Sequence, residues 1–479
     1  MPDPRLEMKE PSSLDPGVPA DRDDLRFRAA PRWPVMVGRI PARAPAFRTR
    51  ESVLERVQAA RETSSTVVLA PGQQAGGDGC GSSQLAASLA DQAVTDGTEL
   101  VVWVDAGAPG AVVEAFARAA AEVQAPGATG HPGDTESDAR AFLDWVAATD
   151  RSWLVVLDGI VDPSRVDGWW PAAAGGTGWV LATARIRHTA LGAGGRAVVD
   201  VDGFTADEAE SYLVDRLAAE GRPDLGEEGV PELAETLERL PAALSQAVAF
   251  MIAQGTTSTT YRDLYLQSVQ RLRDLRPIAD RHERVVAATS LLALDAADAC
   301  EPVGLARPAM ALACVLDPAG HPLTFWATDA IVRYLGEHRT PGAAPKIAEQ
   351  GGFGSRWSRI RSGRPSPGSG GPGRVDEPQA RAALDLLVRY ALVQVHDPAA
   401  GRAVRVDALT ARAVCDTAAA GTVPPVAVVA ADALMTLWPD HHHDRPELAA
   451  ALRANADTVA AHAGGLMWAD DHEHPLVEQ

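Results

Sequence analysis

Residues 66–95 read TVVLAPGQQAGGDGCGSSQLAASLADQAVT, and this stretch decides the fold. TVVLA is apolar and β-branched, which is typical of a buried strand, whereas QLAASLADQAV has the three-and-four apolar spacing of a helix. Between them lies a segment rich in glycine, which predicts a loop. The stretch therefore predicts a strand, a glycine-rich loop and a helix in direct succession.

The same alternation continues on both sides of this unit. Residues 1–32 are polar, rich in proline and without periodicity, so they are predicted to be a disordered leader, and residues 33–50 an extended segment. Apolar strands are predicted at ELVVWVDA, WLVVLD, GWVLATAR and AVVDVD, with helices between them. Because parallel strands need crossover connections, the pattern predicts an α/β domain over residues 33–203 with a parallel sheet of about five strands.

The second half of the chain is mostly helical in pattern. Residues 204–280 predict a helical lid, and residues 421–479 predict C-terminal helices. Residues 281–420 combine helices with two short strands around a turn at 398–401, which favours a winged-helix-like domain. Residues 338–377 inside it form a Gly, Pro, Ser and Arg tract that cannot build a core, and they are predicted to be a disordered insertion rather than an interaction tail.

Composition and charge exclude several classes of function. The 479 residues are 46% hydrophobic and 23% charged, as in globular proteins, and a net charge of −20 disfavours binding of nucleic acid or anionic membrane over the whole surface. No run of 18 apolar residues is free of charge, and the four cysteines show no CxxC pair. We therefore expect a soluble cytoplasmic protein with reduced thiols and no membrane partner.

The glycine-rich loop is the first candidate for chemistry. A phosphate-binding loop needs glycines around the anion, a lysine for the β and γ phosphates and a hydroxyl for magnesium. Gly76, Gly79 and Gly81 supply the glycines and Ser83 the hydroxyl, but Ser82 stands where the lysine is expected. Asp78 adds a negative charge that disfavours phosphate. On the loop alone, a glycine-rich surface turn is an equal alternative.

Five further segments resemble one family in their order and spacing: VVWVDA, WLVVLDGIVDP, WVLATAR, ERLPAALSQAVAF and LARPAMALACVLDP. Together they are similar to the actinobacterial branch of the NB-ARC proteins, a STAND-class group of P-loop NTPases that TPR repeats normally follow. The resemblance spans about residues 33–470. It implies that the segments are the second strand, the Walker B strand, the sensor strand, the lid motif and the start of the winged helix.

The resemblance also implies a set of site residues. Asp158 corresponds to the Walker B acid and would hold Mg²⁺ with Ser83, Arg185 matches the sensor arginine near the γ phosphate, and Pro241 matches the lid proline that packs on adenine. A strand-capping arginine and a helix-starting proline are the structural alternatives for the last two. The implied cofactors are ADP or ATP with Mg²⁺, and the nucleotide-binding set is Gly76, Gly79, Gly81, Ser82, Ser83, Arg185 and Pro241.

Several residues depart from the family pattern. Gly159 stands where a second polar or acidic residue is usual, and Asp407 stands where the winged helix normally supplies a histidine to ADP. With Ser82 and Asp78, these changes all weaken contacts to phosphate. They predict a pseudo-ATPase without catalytic residues, which binds nucleotide weakly or not at all and acts through protein partners, with self-association as a further contact.

Two alternative functions stay open. The first is a switch that holds ADP or ATP without fast hydrolysis, and the second is a winged-helix DNA-binding regulator, which the acidic charge makes the weaker hypothesis. The chain ends where the family's first TPR repeats normally begin, so the sensor array is expected to be missing. His441, His442 and His443 could suggest a metal site, but adjacent residues rarely satisfy tetrahedral geometry, and a solvated loop is expected.

Overall fold

The computed structural model describes residues 31–44, 47–72, 79–107, 110–173, 176–275, 281–341, 375–398, 400–418, 421–439 and 445–468. The predictions for the leader up to residue 30, for residues 342–374 of the insertion and for the histidine cluster lie outside the described residues. Gly76 and Asp78 of the glycine-rich loop also lie outside them.

A six-stranded parallel sheet forms the centre of the N-terminal half. Its strands lie in the order β1-β3-β4-β5-β2-β6, and all neighbouring pairs are parallel. The predicted α/β class with a parallel sheet is therefore confirmed. In chain order the strands are β1 (Val35–Val37), β2 (Thr66–Pro71), β3 (Leu100–Asp105), β4 (Trp153–Ile160), β5 (Gly178–Ala184) and β6 (Ala197–Val201).

Strand β1 is one more than the predicted count, because we had placed it in the extended segment. It pairs with β3 at the edge of the sheet, where Val35 and Val37 are buried and Met36 is exposed. Three residues next to Pro34 are too few for a strand pattern in the sequence. An edge strand tolerates a neighbouring proline because only one of its sides must pair.

Helices cover both faces of the sheet, which is why its central strands are buried along almost their whole length. Val67 and Leu69 of β2 belong to one hydrophobic core, and Val68 and Ala70 to the other. Alternate side chains of each strand thus anchor opposite layers. The helices of this half are α1 (Glu51–Thr63), α2 (Ser82–Thr95), α3 (Ala111–Val123) and α4 (Thr135–Ala148).

The rest of the described chain is helical, apart from one hairpin. Strands β7 (Gln394–Val395) and β8 (Val404–Arg405) pair antiparallel, as predicted for the turn at 398–401. None of the described helices is long and apolar enough to cross a membrane. The helices are α5 (Ala206–Ala219), α6 (Val230–Thr236), α7 (Pro241–Gln254), α8 (Ser258–Leu275), α9 (Arg281–Asp298), α10 (Ala306–Cys314), α11 (Asp329–Glu337), α12 (Glu377–Arg389), α13 (Ala408–Thr417), α14 (Val423–Thr436) and α15 (Pro446–Ala463).

The hairpin is fixed from below by a buried histidine. The backbone of His321 exchanges hydrogen bonds of 2.9 and 3.0 Å with that of Val404, and its Nε2 accepts a hydrogen bond of 3.1 Å from the Trp326 indole. Burial lowers the pKa of His321 to about 3. The ring is therefore neutral in the folded protein at ordinary pH.

His321 makes the fold sensitive to acid. The unfolded chain takes up a proton near pH 6.5 and the folded chain does not until about pH 3, so this contribution to stability is complete above pH 6.5 and is lost as the pH falls. We expect His321 alone to lower the free energy of unfolding by about 2 kcal/mol between pH 7.5 and 5. Denaturant melts of His321→Gln should show a smaller loss than wild type. The exposed His131→Gln should behave as wild type, and equal acid sensitivity of all three proteins would contradict the prediction.

Candidate functional site

Residues 79–81, the described end of the glycine-rich loop, lead directly into α2. Gly81 precedes this helix with a φ of +84°, a left-handed conformation that favours glycine. Ser82 and Ser83 are therefore the first two residues of α2. The amide groups of a helix N-terminus are unpaired within the helix and attract anions, so the start of α2 offers amides of the kind that a phosphate loop uses.

Ser83 and Asp158 meet across the end of the sheet. The Ser83 hydroxyl donates a hydrogen bond of 2.7 Å to Oδ1 of Asp158, and the Thr183 hydroxyl donates one of 2.6 Å to the same oxygen. The Gly159 amide in turn donates to the Thr183 hydroxyl at 2.7 Å. The two residues predicted as magnesium ligands are thus brought together. Thr183 was missed, although a polar residue inside the apolar strand GWVLATAR was a usable signal.

Arg185 lies beside the residue that follows Asp158. Its Nε would be 3.6 Å from a Cβ built on Gly159, and its backbone amide donates to the Ile160 carbonyl at 2.9 Å. Gly159 has a φ of +80°, so a residue with a side chain would be strained there. The polar residue that the family resemblance expects at this position would therefore be strained in this backbone conformation.

Pro241 and α7 lie against residues 79–81. Pro241 is the first residue of α7, where its fixed φ and missing amide hydrogen are favourable, and it lines the same cavity as the loop. The next amide, that of Ala242, donates to the Gly79 carbonyl at 3.4 Å. Pro241 is thus a helix-starting residue that also lies next to the predicted nucleotide site. Its contact with adenine stays a prediction.

Arg50 holds the loop from behind and was missed in the sequence analysis. Only 4% of it is exposed, and its guanidinium donates to the carbonyl groups of Cys80, Asp202 and Gly203 at 3.1, 2.8 and 2.7 Å. Burial lowers its pKa, and the guanidinium also lies 5.5 Å from the centre of the Phe204 ring. These contacts tie the loop to the end of β6.

Asp105 is a second carboxylate at the same end of the sheet. It is the register partner of Asp158 in the β3–β4 pair, and its Oδ1 accepts a hydrogen bond of 3.2 Å from the Gly107 amide. Burial, and then the charge of Asp317, raise the pKa of Asp105. The sequence predicts this residue only as the end of a strand.

Asp407 lines the cavity and also has a structural role that the resemblance does not imply. Its carboxylate accepts hydrogen bonds of 3.0 and 3.2 Å from the amides of Leu409 and Thr410, and so caps the N-terminus of α13. It still lines the cavity, but one of its carboxylate oxygens accepts both hydrogen bonds from the helix amides. We had interpreted Asp407 only as a lost phosphate contact, so the helix cap is a role that the sequence analysis did not assign.

One cavity of about 770 Å³ connects these elements. The glycine-rich loop, the end of the sheet, α7, the hairpin and α15 all contribute to its wall. Its volume lies within the roughly 300–1,000 Å³ usual for ligand pockets. Eight arginines and seven aspartates or glutamates line it, leaving one net positive charge in a chain of net charge −20. Arg39 and Arg48 pair with Asp397 and Asp215, which lie outside this lining, so the remaining arginines are the candidates for contact with an anion.

Comparisons with known proteins give structural neighbours only. No family model matches the chain, and no curated protein matches it. A STAND protein with a tetratricopeptide repeat sensor from Pyrococcus horikoshii is 11% identical, with 92% of this chain and 51% of that chain covered and a TM-score of 0.49. This chain therefore spans about half the length of that protein.

Two other solved structures are more distant in shape. A Walker-type ATPase of Pyrococcus abyssi is 11% identical, with coverage of 79% and 98% and a TM-score of 0.34. Cdc6p from Pyrobaculum aerophilum is 13% identical, with coverage of 79% and 96% and a TM-score of 0.32. At such low identities and TM-scores, the function rests on the geometry of the site.

Proposed function

We propose that this chain is a nucleotide-binding regulatory module of the P-loop class that hydrolyses ATP slowly or not at all. The observation that carries the proposal is the 2.7 Å contact between Ser83 and Asp158 at the start of α2, inside the large cavity with its net positive lining. A hydroxyl and a carboxylate that meet at a helix N-terminus are the groups that a magnesium nucleotide needs from a protein.

The residues present fit Mg²⁺ because the Ser83 hydroxyl and the Asp158 carboxylate are oxygen donors, which this ion prefers. When bound, Mg²⁺ would neutralise charge on the β and γ phosphates. Thr183 would keep the Asp158 carboxylate oriented through its hydrogen bond of 2.6 Å. The helix N-terminus and the bare backbone of Gly79 and Gly81 would let phosphate oxygens approach closely.

Slow hydrolysis follows from what the site lacks. Ser82 carries no charge to stabilise the transferring phosphoryl group, and Gly159 has no side chain to orient an attacking water. Phosphoryl transfer depends on positioning and charge stabilisation. The missing charge at residue 82 and the missing side chain at residue 159 therefore slow the chemical step. Binding depends less on them, because the amides of α2 and the arginines of the cavity remain.

A regulatory role is supported by the number of parts that a ligand would touch. The cavity wall comes from the sheet, from α7 of the predicted lid and from the hairpin of the predicted winged helix. A nucleotide that contacts all three would favour one arrangement of them over others. We include in the proposal the NB-ARC-type assignment, the domain boundaries given above, and action through protein partners, with self-association as one form of it.

Calorimetric titration with ADP, and with ATP plus Mg²⁺, tests this function. We expect wild type to bind both, and Ser83→Ala and Asp158→Asn to lose the dependence of ATP binding on Mg²⁺, because these variants remove the two oxygen ligands. The exposed Asp144→Asn on α4 is the charge-matched control and should bind as wild type.

Two outcomes would contradict the proposal. Heats no different from buffer for every nucleotide would mean that the chain keeps the fold only as a scaffold for partners. Release of phosphate from ATP by wild type faster than by Ser83→Ala would instead show an active ATPase.

A further inference from the structure

The hairpin brings two arginines to the cavity, and only one of them forms an ion pair. Arg402 pairs with Asp317 at 2.7 Å. Arg405, on β8, has a buried Nε without a hydrogen-bond partner, and no ion pair joins it to any described residue. Burial lowers the pKa of Arg405, as expected for a cation removed from water.

Three carboxylates act electrostatically on Arg405, and each of them accepts its hydrogen bonds from other groups. Asp158 accepts from the hydroxyls of Ser83 and Thr183, Asp105 accepts from the Gly107 amide, and Asp317 pairs with Arg402. A partly buried guanidinium without a bonded anion is costly, because burial removes water without replacing it. Arg405 thus has the carboxylates of Asp105, Asp158 and Asp317 around it but bonds directly to none of them, so its guanidinium can take an anionic ligand.

The position of Arg405 is held by the backbone below it. Residue 404 bonds to the buried His321, and the Arg405 Cγ lies against Gly320, where an added Cβ would come within 3.0 Å of it. These contacts hold the first part of the Arg405 side chain in place. Its planar guanidinium can bind two phosphate oxygens at once. Arg405 lines the same cavity as Ser82, the position where the glycine-rich loop lacks a lysine.

We propose that Arg405 is the cation that binds the phosphates of a nucleotide in this cavity, supplied by the hairpin in place of the missing lysine of the loop. This inference rests on the proposed function and deepens it, because the phosphate would then join the hairpin to the sheet. The ligand is a nucleoside di- or triphosphate. Free pyrophosphate shares the recognised chemistry and serves as the second arm of the test.

The experiment compares wild type, Arg405→Gln and Arg381→Gln by calorimetry with ADP, pyrophosphate and adenosine. Arg381 is an exposed arginine of α12, so its variant removes the same charge away from the cavity. We expect Arg405→Gln to bind ADP about tenfold more weakly or worse, because a charge-assisted hydrogen bond is lost. Pyrophosphate binding should weaken with it, whereas adenosine binding and the Arg381→Gln variant should match wild type.

A second measurement separates a phosphate contact from a general disturbance of the fold. In wild type, ADP should protect the amides of residues 394–405 from hydrogen exchange, and this protection should be lost in Arg405→Gln. Adding Ser82→Lys to Arg405→Gln should recover ADP affinity without recovering the protection, because the restored cation comes from the loop and not from the hairpin.

The outcomes distinguish the two levels of the proposal. Wild type that binds ADP, together with Arg405→Gln of equal affinity, overturns the role of Arg405 and leaves the proposed function standing. Wild type that binds neither ADP nor pyrophosphate overturns both. If Arg405→Gln does not fold, Arg405→Lys takes its place, since it keeps the charge but not the planar fork. Because the lysine keeps the cation, the deciding result is then in wild type, where ADP that binds without protecting residues 394–405 overturns the role of Arg405.

Discussion

Ser82→Lys is expected to tighten ADP binding roughly ten- to a hundredfold, because a charge-assisted hydrogen bond to phosphate is worth about 1.5–3 kcal/mol. Ser82 is the first residue of α2 and lines the cavity, so a longer side chain there starts beside the helix N-terminus that is proposed to hold the phosphates. The same cavity also contains the carboxylates of Asp105 and Asp158, the second of which bonds to the neighbouring Ser83, and they would favour a cation at this position.

Calorimetry with ADP at two salt concentrations measures this gain. Ser82→Met is the matched control, since methionine is similar in length to lysine but has no charge. An equal gain from both variants would mean that contact area, and not charge, is responsible. Phosphate release should stay slow in Ser82→Lys, because Gly159 still provides no group to orient water and its φ of +80° disfavours any substitute with a side chain.

The parts of the site that could be predicted from the sequence are those that local pattern and parallel topology determine. The strand, glycine-rich loop and helix at 66–95 gave the position of Ser83. Asp158 could be placed near it because the carboxyl ends of parallel strands meet at one edge of a sheet. The structure brings these two residues to hydrogen-bonding distance although 75 residues separate them in the chain.

The remaining site residues depend on contacts that no local pattern reveals. Arg50 bonds to carbonyl groups 30, 152 and 153 residues further along the chain, so a single arginine before α1 gave no signal of its role. Arg405 reaches the cavity only because the hairpin packs near the end of the sheet, and no local pattern around residue 405 predicts this position. Asp407 was interpreted through the family resemblance alone, whereas an aspartate directly before an apolar helical segment is a typical N-cap residue.

Gln246 connects α7 to α9 and α13 through a buried polar cluster. Its Oε1 accepts hydrogen bonds from the hydroxyls of Thr289 and Ser290 at 2.5 and 3.2 Å, and its Nε2 donates to the Thr410 hydroxyl at 3.2 Å. All four side chains are buried, and Gln246 also lines the cavity. A change in the arrangement of α7, α9 and α13 would have to break these bonds, so the cluster favours a single relative position of the three helices.

Gln246→Ala is accordingly expected to lower the free energy of unfolding by about 3 kcal/mol, because buried hydroxyls lose their partner and a cavity forms. Ser290 and Thr410 bear this cost, whereas Thr289 keeps its bond of 3.0 Å to the Val286 carbonyl.

Denaturant melts measure the loss, and the exposed Gln267→Ala on α8 is the matched control, for which little change is expected. A loss below about 1 kcal/mol would mean that water satisfies these groups in solution, and the cluster would then not hold α7 against α9 and α13. If the loss is as large as expected and nucleotide protects the hairpin less in this variant, α7 and the hairpin respond to the ligand as one unit.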